Sequence, residues 1–139
     1  MRKAAHRDEA GFSLVELVIV VAVIAILAAI MLPNFLAQRQ RAADSAAMET
    51  ISTVRKGLAM FAADNGRYPT GSTWADVRTA VTPYVRLPGT HTDAGLTAFS
   101  YTPSGNPPNT YTICATPNGG TGQRVRGTPD AQTLVANCP

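Results

Sequence analysis

Residues 17–32 are apolar without a break, 16 positions drawn from Leu, Val, Ile, Ala and Met. Traced back to Phe12 the segment has 21 residues, with Ser13 and Glu16 its only polar members. A helix needs roughly 20 apolar residues to cross the hydrocarbon core of a bilayer. The run therefore predicts a membrane-spanning helix and excludes a fully soluble globular chain. Past Pro33 the pattern changes. Ala47, Ile51, Val54, Leu58 and Phe61 recur at alternating spacings of four and three, which puts them on one helical face. Gln38, Gln40, Asp44, Glu49, Arg55 and Lys56 fall mostly off that stripe. Asp64-Asn65-Gly66 supplies the stop, because Asn and Gly accept the left-handed conformation at a helix C-terminus. The pattern predicts one helix over residues 12–64, apolar all round in its first half and amphipathic in its second. Pro33 removes one backbone hydrogen bond and predicts a kink, which membrane helices tolerate.

Beyond Gly66 the pattern shortens. Trp74, Val77, Val81 and Tyr84 fit a short helix opened by Ser72 or Thr73 and closed near Pro83. Residues 96–102, 110–116 and 132–137 are rich in Thr, Tyr, Phe, Ile and Val, between clusters of Pro, Gly and Asn. These predict about three antiparallel strands. A sheet of that size is marginal alone, and the amphipathic half of the long helix gives it something to bury against. The fold class is α+β, a long N-terminal helix packed against a small antiparallel β-sheet head. Only 75 residues follow Asp64, and the chain holds 11 Gly and 10 Pro, which speaks against a large enzyme core.

Charge adds little. The formal excess of +3, from 12 Lys and Arg against 9 Asp and Glu, is scattered and does not argue for nucleic acid. The cysteines say more. Cys114 and Cys138 have no His nearby and no CxxC spacing, so they do not read as a zinc site. In a small Gly- and Pro-rich domain outside a membrane a disulfide persists and is useful, tying the last strand to an inner one. Two buried free thiols in a cytosolic domain are the weaker reading. Arg2, Lys3 and Arg7 favour a cytoplasmic N-terminus, Arg39 and Arg41 blunt that count, and the cysteine pair resolves it by placing the C-terminal part outside. The apolar run is too long for an ordinary secretory signal, and Pro33-Asn34-Phe35 is not a small-residue cleavage site.

The junction Gly11-Phe12-Ser13-Leu14-Val15-Glu16, running straight into the apolar helix, resembles the type IV pilin and pseudopilin family. Members share a short basic leader ending in Gly, a first mature residue that is usually Phe, a Glu at the fifth mature position, and a long apolar helix. Counted from Phe12, Glu16 is the fifth residue, and Pro33 falls where members commonly carry a proline. The likeness covers about residues 2–66, and the head matches in general plan. It implies a leader over 1–11, a transmembrane and assembly helix over 12–33, an amphipathic half over 34–64 and a head over 65–139. It implies a prepilin peptidase that cuts between Gly11 and Phe12 on the cytoplasmic side and methylates the new Phe12 amine. The bare Gly11 suits that chemistry, because it lets catalytic groups approach the peptide bond. Glu16 is an ionisable group inside a membrane segment, which is costly and marks function by default. Its expected partner is the Phe12 amine of a neighbouring subunit. Snorkelling to the headgroups is the bland alternative for an isolated subunit.

The resemblance further implies a homo-oligomeric helical filament, an inner-membrane assembly machinery, and membrane lipid as the subunit's surroundings before assembly. Motility, adhesion or DNA uptake would be the filament's work. The alternatives are a pseudopilin of type II secretion and, from another class, a membrane-anchored periplasmic binding or enzymatic domain. Against a major pseudopilin, only Asp93 and Asp130 are acidic beyond Asp76, too few for a calcium site in the head. Arg124 and Arg126 in a Gly-rich loop could touch an anion such as DNA, although solvated loop charges are the commoner case. His91 reads as an ordinary loop residue. No nucleophile motif, metal-ligand spacing or cofactor motif is present in the sequence.

Overall fold

A computed structural model describes residues 11–138. The expected leader, apart from Gly11, lies outside them. Helix α1 spans Leu14–Asn65, 52 residues with Pro33 inside it, and α2 spans Trp74–Val81. Strands follow as β1 Leu96–Gly105, β2 Pro108–Pro117, β3 Arg124–Gly127 and β4 Gln132–Val135. The chain divides into two units, Met1–Leu36 and Ala37–Pro139, and α1 contributes to both.

In the second unit α1 buries Asp44, Ala47, Ile51, Val54, Gly57 and Leu58, the expected stripe with two additions. Ile51, Val54 and Leu58 are fully enclosed, and burial of each contributes about 1.5–3 kcal/mol. Phe61 is only half-buried. Gly57 is required by packing, since a Cβ there would collide with Val81 and Val85 just beyond it.

Thr73 opens α2. Its hydroxyl accepts from the Asp76 N–H at 3.2 Å, and the Asp76 carboxylate accepts from the Thr73 N–H at 3.0 Å, a reciprocal capping box. The Thr73 hydroxyl and then its N–H hold the Asp76 carboxyl below its ordinary pKa. Trp74 is buried edge-on against Phe99 at 5.0 Å.

The sheet is an antiparallel meander of four strands in the order β1-β2-β3-β4. Along β2, Tyr111, Ile113 and Ala115 face the core while Thr112, Cys114 and Thr116 alternate with them. The count exceeds the expected three, and β3 is the reason. Arg124 and Arg126 lie in that strand rather than in a loop, paired to β4 opposite Val135 and Thr133. A four-residue strand with Val125 as its only large apolar residue carries no readable alternation. Its partners on both sides, not its own composition, make it a strand.

Two polar ties join α1 to the turns around β3. Arg55 donates to the carbonyls of Thr128 at 2.8 Å and Pro129 at 3.0 Å. Asp44 accepts from the Thr121 hydroxyl at 2.6 Å and N–H at 3.2 Å. Asp44 was expected off the buried stripe, and the structure corrects this: it is only 4% exposed. A carboxylate at the stripe's edge is tolerated there because the β2–β3 loop brings donors to it. Gly120 lies so close that a Cβ would run into that carboxylate.

The disulfide joins Cys114 on β2 to Cys138, with Cα atoms 6.1 Å apart. β4 ends at Val135, so the bridge holds the tail beyond the last strand rather than the strand itself.

Candidate processing and assembly site

The first helix begins late. Gly11, Phe12 and Ser13 precede α1 and belong to no regular element. A Cβ added at Gly11 would meet nothing within 4 Å. Packing among the described residues thus makes no demand for glycine at that position. Phe12 stands 91% exposed.

Ser13 is the N-cap of α1. Its carbonyl accepts from the Leu17 N–H at 3.1 Å, and its hydroxyl accepts from the Val15 N–H at 3.3 Å. Its own N–H donates to Glu16 Oε2 at 2.9 Å. The Glu16 contact is the return half of a capping box, while the hydroxyl serves the second helical N–H rather than the third. The structure therefore brings Glu16 beside Ser13, a residue absent from the site read from sequence. The signal that finds it is Ser-x-x-Glu ahead of an apolar run. Pro33 lies within α1, so that position donates no N–H toward the carbonyl of Ala29.

Between these points α1 has no apolar stripe, because its large apolar side chains are exposed in every direction. The least exposed of those at residues 14–36 is Val23, at 51%. By length and composition this helix can cross a membrane. An isolated chain in water would leave all of that surface wet, far beyond the few hundred Å² that soluble monomers tolerate.

Elsewhere the chemistry is sparse. An open groove of about 760 Å³ lies in the second unit between α1 and β4, lined among others by Arg41, Asp44, Met48, Glu49, Gln132 and Leu134. Its buried carboxylate, Asp44, is already engaged by Thr121. Among the described residues no three His, Cys, Asp or Glu side chains are grouped to hold a metal ion. His91 is a half-buried loop residue.

Comparison with known proteins locates the likeness in the same place. Residues 6–32 match the family described as the prokaryotic N-terminal methylation motif. The chain is 45% identical over 62 residues to the type IV wide pilus major component of Thermus thermophilus, covering 45% of this chain and 47% of that one. It is 29% identical over 102 residues to type II secretion system core protein G of Aeromonas hydrophila, covering 73% of this chain and 71% of that one. Core protein G of Vibrio cholerae is 36% identical over 64 residues, 46% of this chain and 44% of its own. The match thus spans about half the length of the Thermus and Vibrio relatives.

Proposed function

We propose that this chain, which carries the N-terminal methylation motif and is similar to a type IV pilin and to type II secretion core protein G, is a structural subunit of a type IV pilus. The observation that carries this reading is the exposed apolar helix half directly behind Gly11-Phe12, within the methylation motif. Lipid covers that surface before assembly, and other copies of the helix cover it afterwards.

In this reading a prepilin peptidase cuts the Gly11-Phe12 bond and methylates the new amine. The subunit waits in the inner membrane with its N-terminus cytoplasmic and its disulfide-bearing head outside, where an assembly machinery draws it into a surface filament. Glu16 then faces the Phe12 amine of a neighbouring subunit. In a filament core without water, pairing the two charges avoids leaving either buried alone, a cost of about 3–5 kcal/mol.

Intact-mass analysis of protein taken from membranes or filaments tests the processing. The expected species begins at Phe12 and carries one methyl group. A chain that retains residues 1–11, or one cut after Leu32, contradicts the reading.

One observation favours a second reading. The likeness to the Aeromonas core protein G runs over 102 residues and so reaches into the head. A type II secretion pseudopilin would give a short periplasmic filament in place of surface pili, and loss of secreted proteins on deletion would identify it.

A further inference from the structure

We propose that Glu16 caps its own helix before any neighbour reaches it, and that the Ser13 N–H is the group that aims its carboxylate. The consequence for assembly rests on the function proposed above, whereas the cap itself does not.

A glutamate near the start of an apolar helix has two ways to limit its desolvation. It can extend outward to the headgroups, or it can turn back onto its own backbone. In the structure it turns back, with Oε2 2.9 Å from the Ser13 nitrogen. That N–H is an orphan of the helix start, so one hydrogen bond relieves two groups that would otherwise be unsatisfied in lipid. Ser13 is also the residue after Phe12. A carboxylate held by the Ser13 N–H therefore sits beside the point where cleavage at Gly11-Phe12 would release an amine.

The second helix of the chain shows what the same device looks like when filled. Asp76 Oδ2 accepts from the Ser72 N–H at 3.2 Å, the Thr73 N–H at 3.0 Å and the Thr73 hydroxyl at 2.7 Å. Among the described residues Glu16 accepts from one donor, the Ser13 N–H. A carboxylate offers about four lone-pair sites over two oxygens, and the cap uses one of them, on Oε2. Cap and amine can be held at once on different oxygens. The intrachain bond thus holds the side chain in one orientation before a neighbouring subunit's amine arrives, so the ordering of a flexible glutamate is completed before assembly rather than during it.

Residue-resolved amide hydrogen exchange on the full chain in lipid nanodiscs tests this. Glu16→Ala is expected to speed exchange at Ser13 by roughly fivefold. Glu16→Gln keeps an acceptor oxygen and should leave Ser13 close to wild type. Ser13→Ala should expose the Val15 amide while Ser13-site protection persists, which separates loss of the cap from loss of the helix. Equal exchange at residue 13 in the wild type and Glu16→Ala, with the rest of α1 protected in both, overturns the proposal. Filament counts with Glu16→Gln as the sole subunit keep the two claims apart. Absence of filaments with the residue 13 amide still protected supports both the cap and the charge pairing. Normal filaments remove the charge pairing and leave the cap to the exchange result.

Discussion

One helix carries two kinds of apolar surface. In residues 14–36 of α1 the large side chains are at least half exposed, as Ile24 is at 58%. From Ala47 to Leu58 the stripe disappears from solvent, and Ile51, Val54 and Leu58 are each 0% exposed, while Met60 off the stripe stays 50% exposed. The two stretches differ in composition, and still more in how their apolar residues are arranged. A stripe at helical spacing is the imprint of a partner on one side, and the sheet of the same chain supplies it. Apolar residues all round are the imprint of partners on every side, which one small head cannot provide. The second stretch is therefore about folding and the first about surroundings.

Substitutions at matched positions break or confirm that division. Ile51→Ala should destabilise the head by about 2–5 kcal/mol, as large-to-small changes in a closed core do. Ile24→Ala should leave the head within about 0.5 kcal/mol of wild type, because nothing in the head depends on it. Denaturant melts followed by near-ultraviolet signals of Trp74 measure both. Equal losses would mean that the two stretches are one cooperative unit.

The disulfide belongs to the head alone. Cys138→Ser should cost about 2–5 kcal/mol in the same melts. Non-reducing gels of the native protein should show no disulfide-linked dimer, since Cys114 and Cys138 are already joined within the chain.

Asp44→Ala comes next in size. It leaves the Thr121 hydroxyl and N–H without their acceptor, for a loss of about 1–3 kcal/mol. The same change should loosen the β2–β3 loop, read as faster amide exchange at Thr121.

The smallest effect is a pH dependence confined to the head. Burial first, then the neighbouring Tyr111 and Tyr68, raises the phenol of Tyr101 above its usual range. Burial likewise pushes Tyr111 up to about 12, against the lowering influence of Arg55. Both groups keep their protons in the folded state longer than in the unfolded chain. The stability linked to them is complete below the ordinary tyrosine value of about 10 and is lost as pH rises toward about 12. Phenolate absorbance during an alkaline titration should show these two ionising late or together with unfolding.

Much of this was legible from residue order. Ala47, Ile51, Val54 and Leu58 declare their face by spacing, Ser72 or Thr73 reads as the start of α2 and Thr73 takes that place, and the lone cysteine pair declares its bridge. The failures share a cause, which is information held by distant residues. Asp44 reads as polar and outward until the Thr121 loop is folded over it. Arg124 and Arg126 read as loop charges until β2 and β4 flank them. The cap on α1 is a different failure, because Ser13 and Glu16 stand at the right spacing in the sequence. In a membrane segment Glu16 reads first as a charge, which masks its role as the acceptor for the Ser13 N–H.

The division of α1 is tested most directly in the assembled state. Electron cryomicroscopy of filaments from cells in which this chain is the sole subunit should show residues 12–36 buried among copies of themselves. Ile24 and Leu27 should be enclosed there, while the stripe from Ala47 to Leu58 still packs on its own sheet. Filaments whose helical cores exclude residues 12–36, or surface filaments unchanged when the gene is removed, would contradict the account.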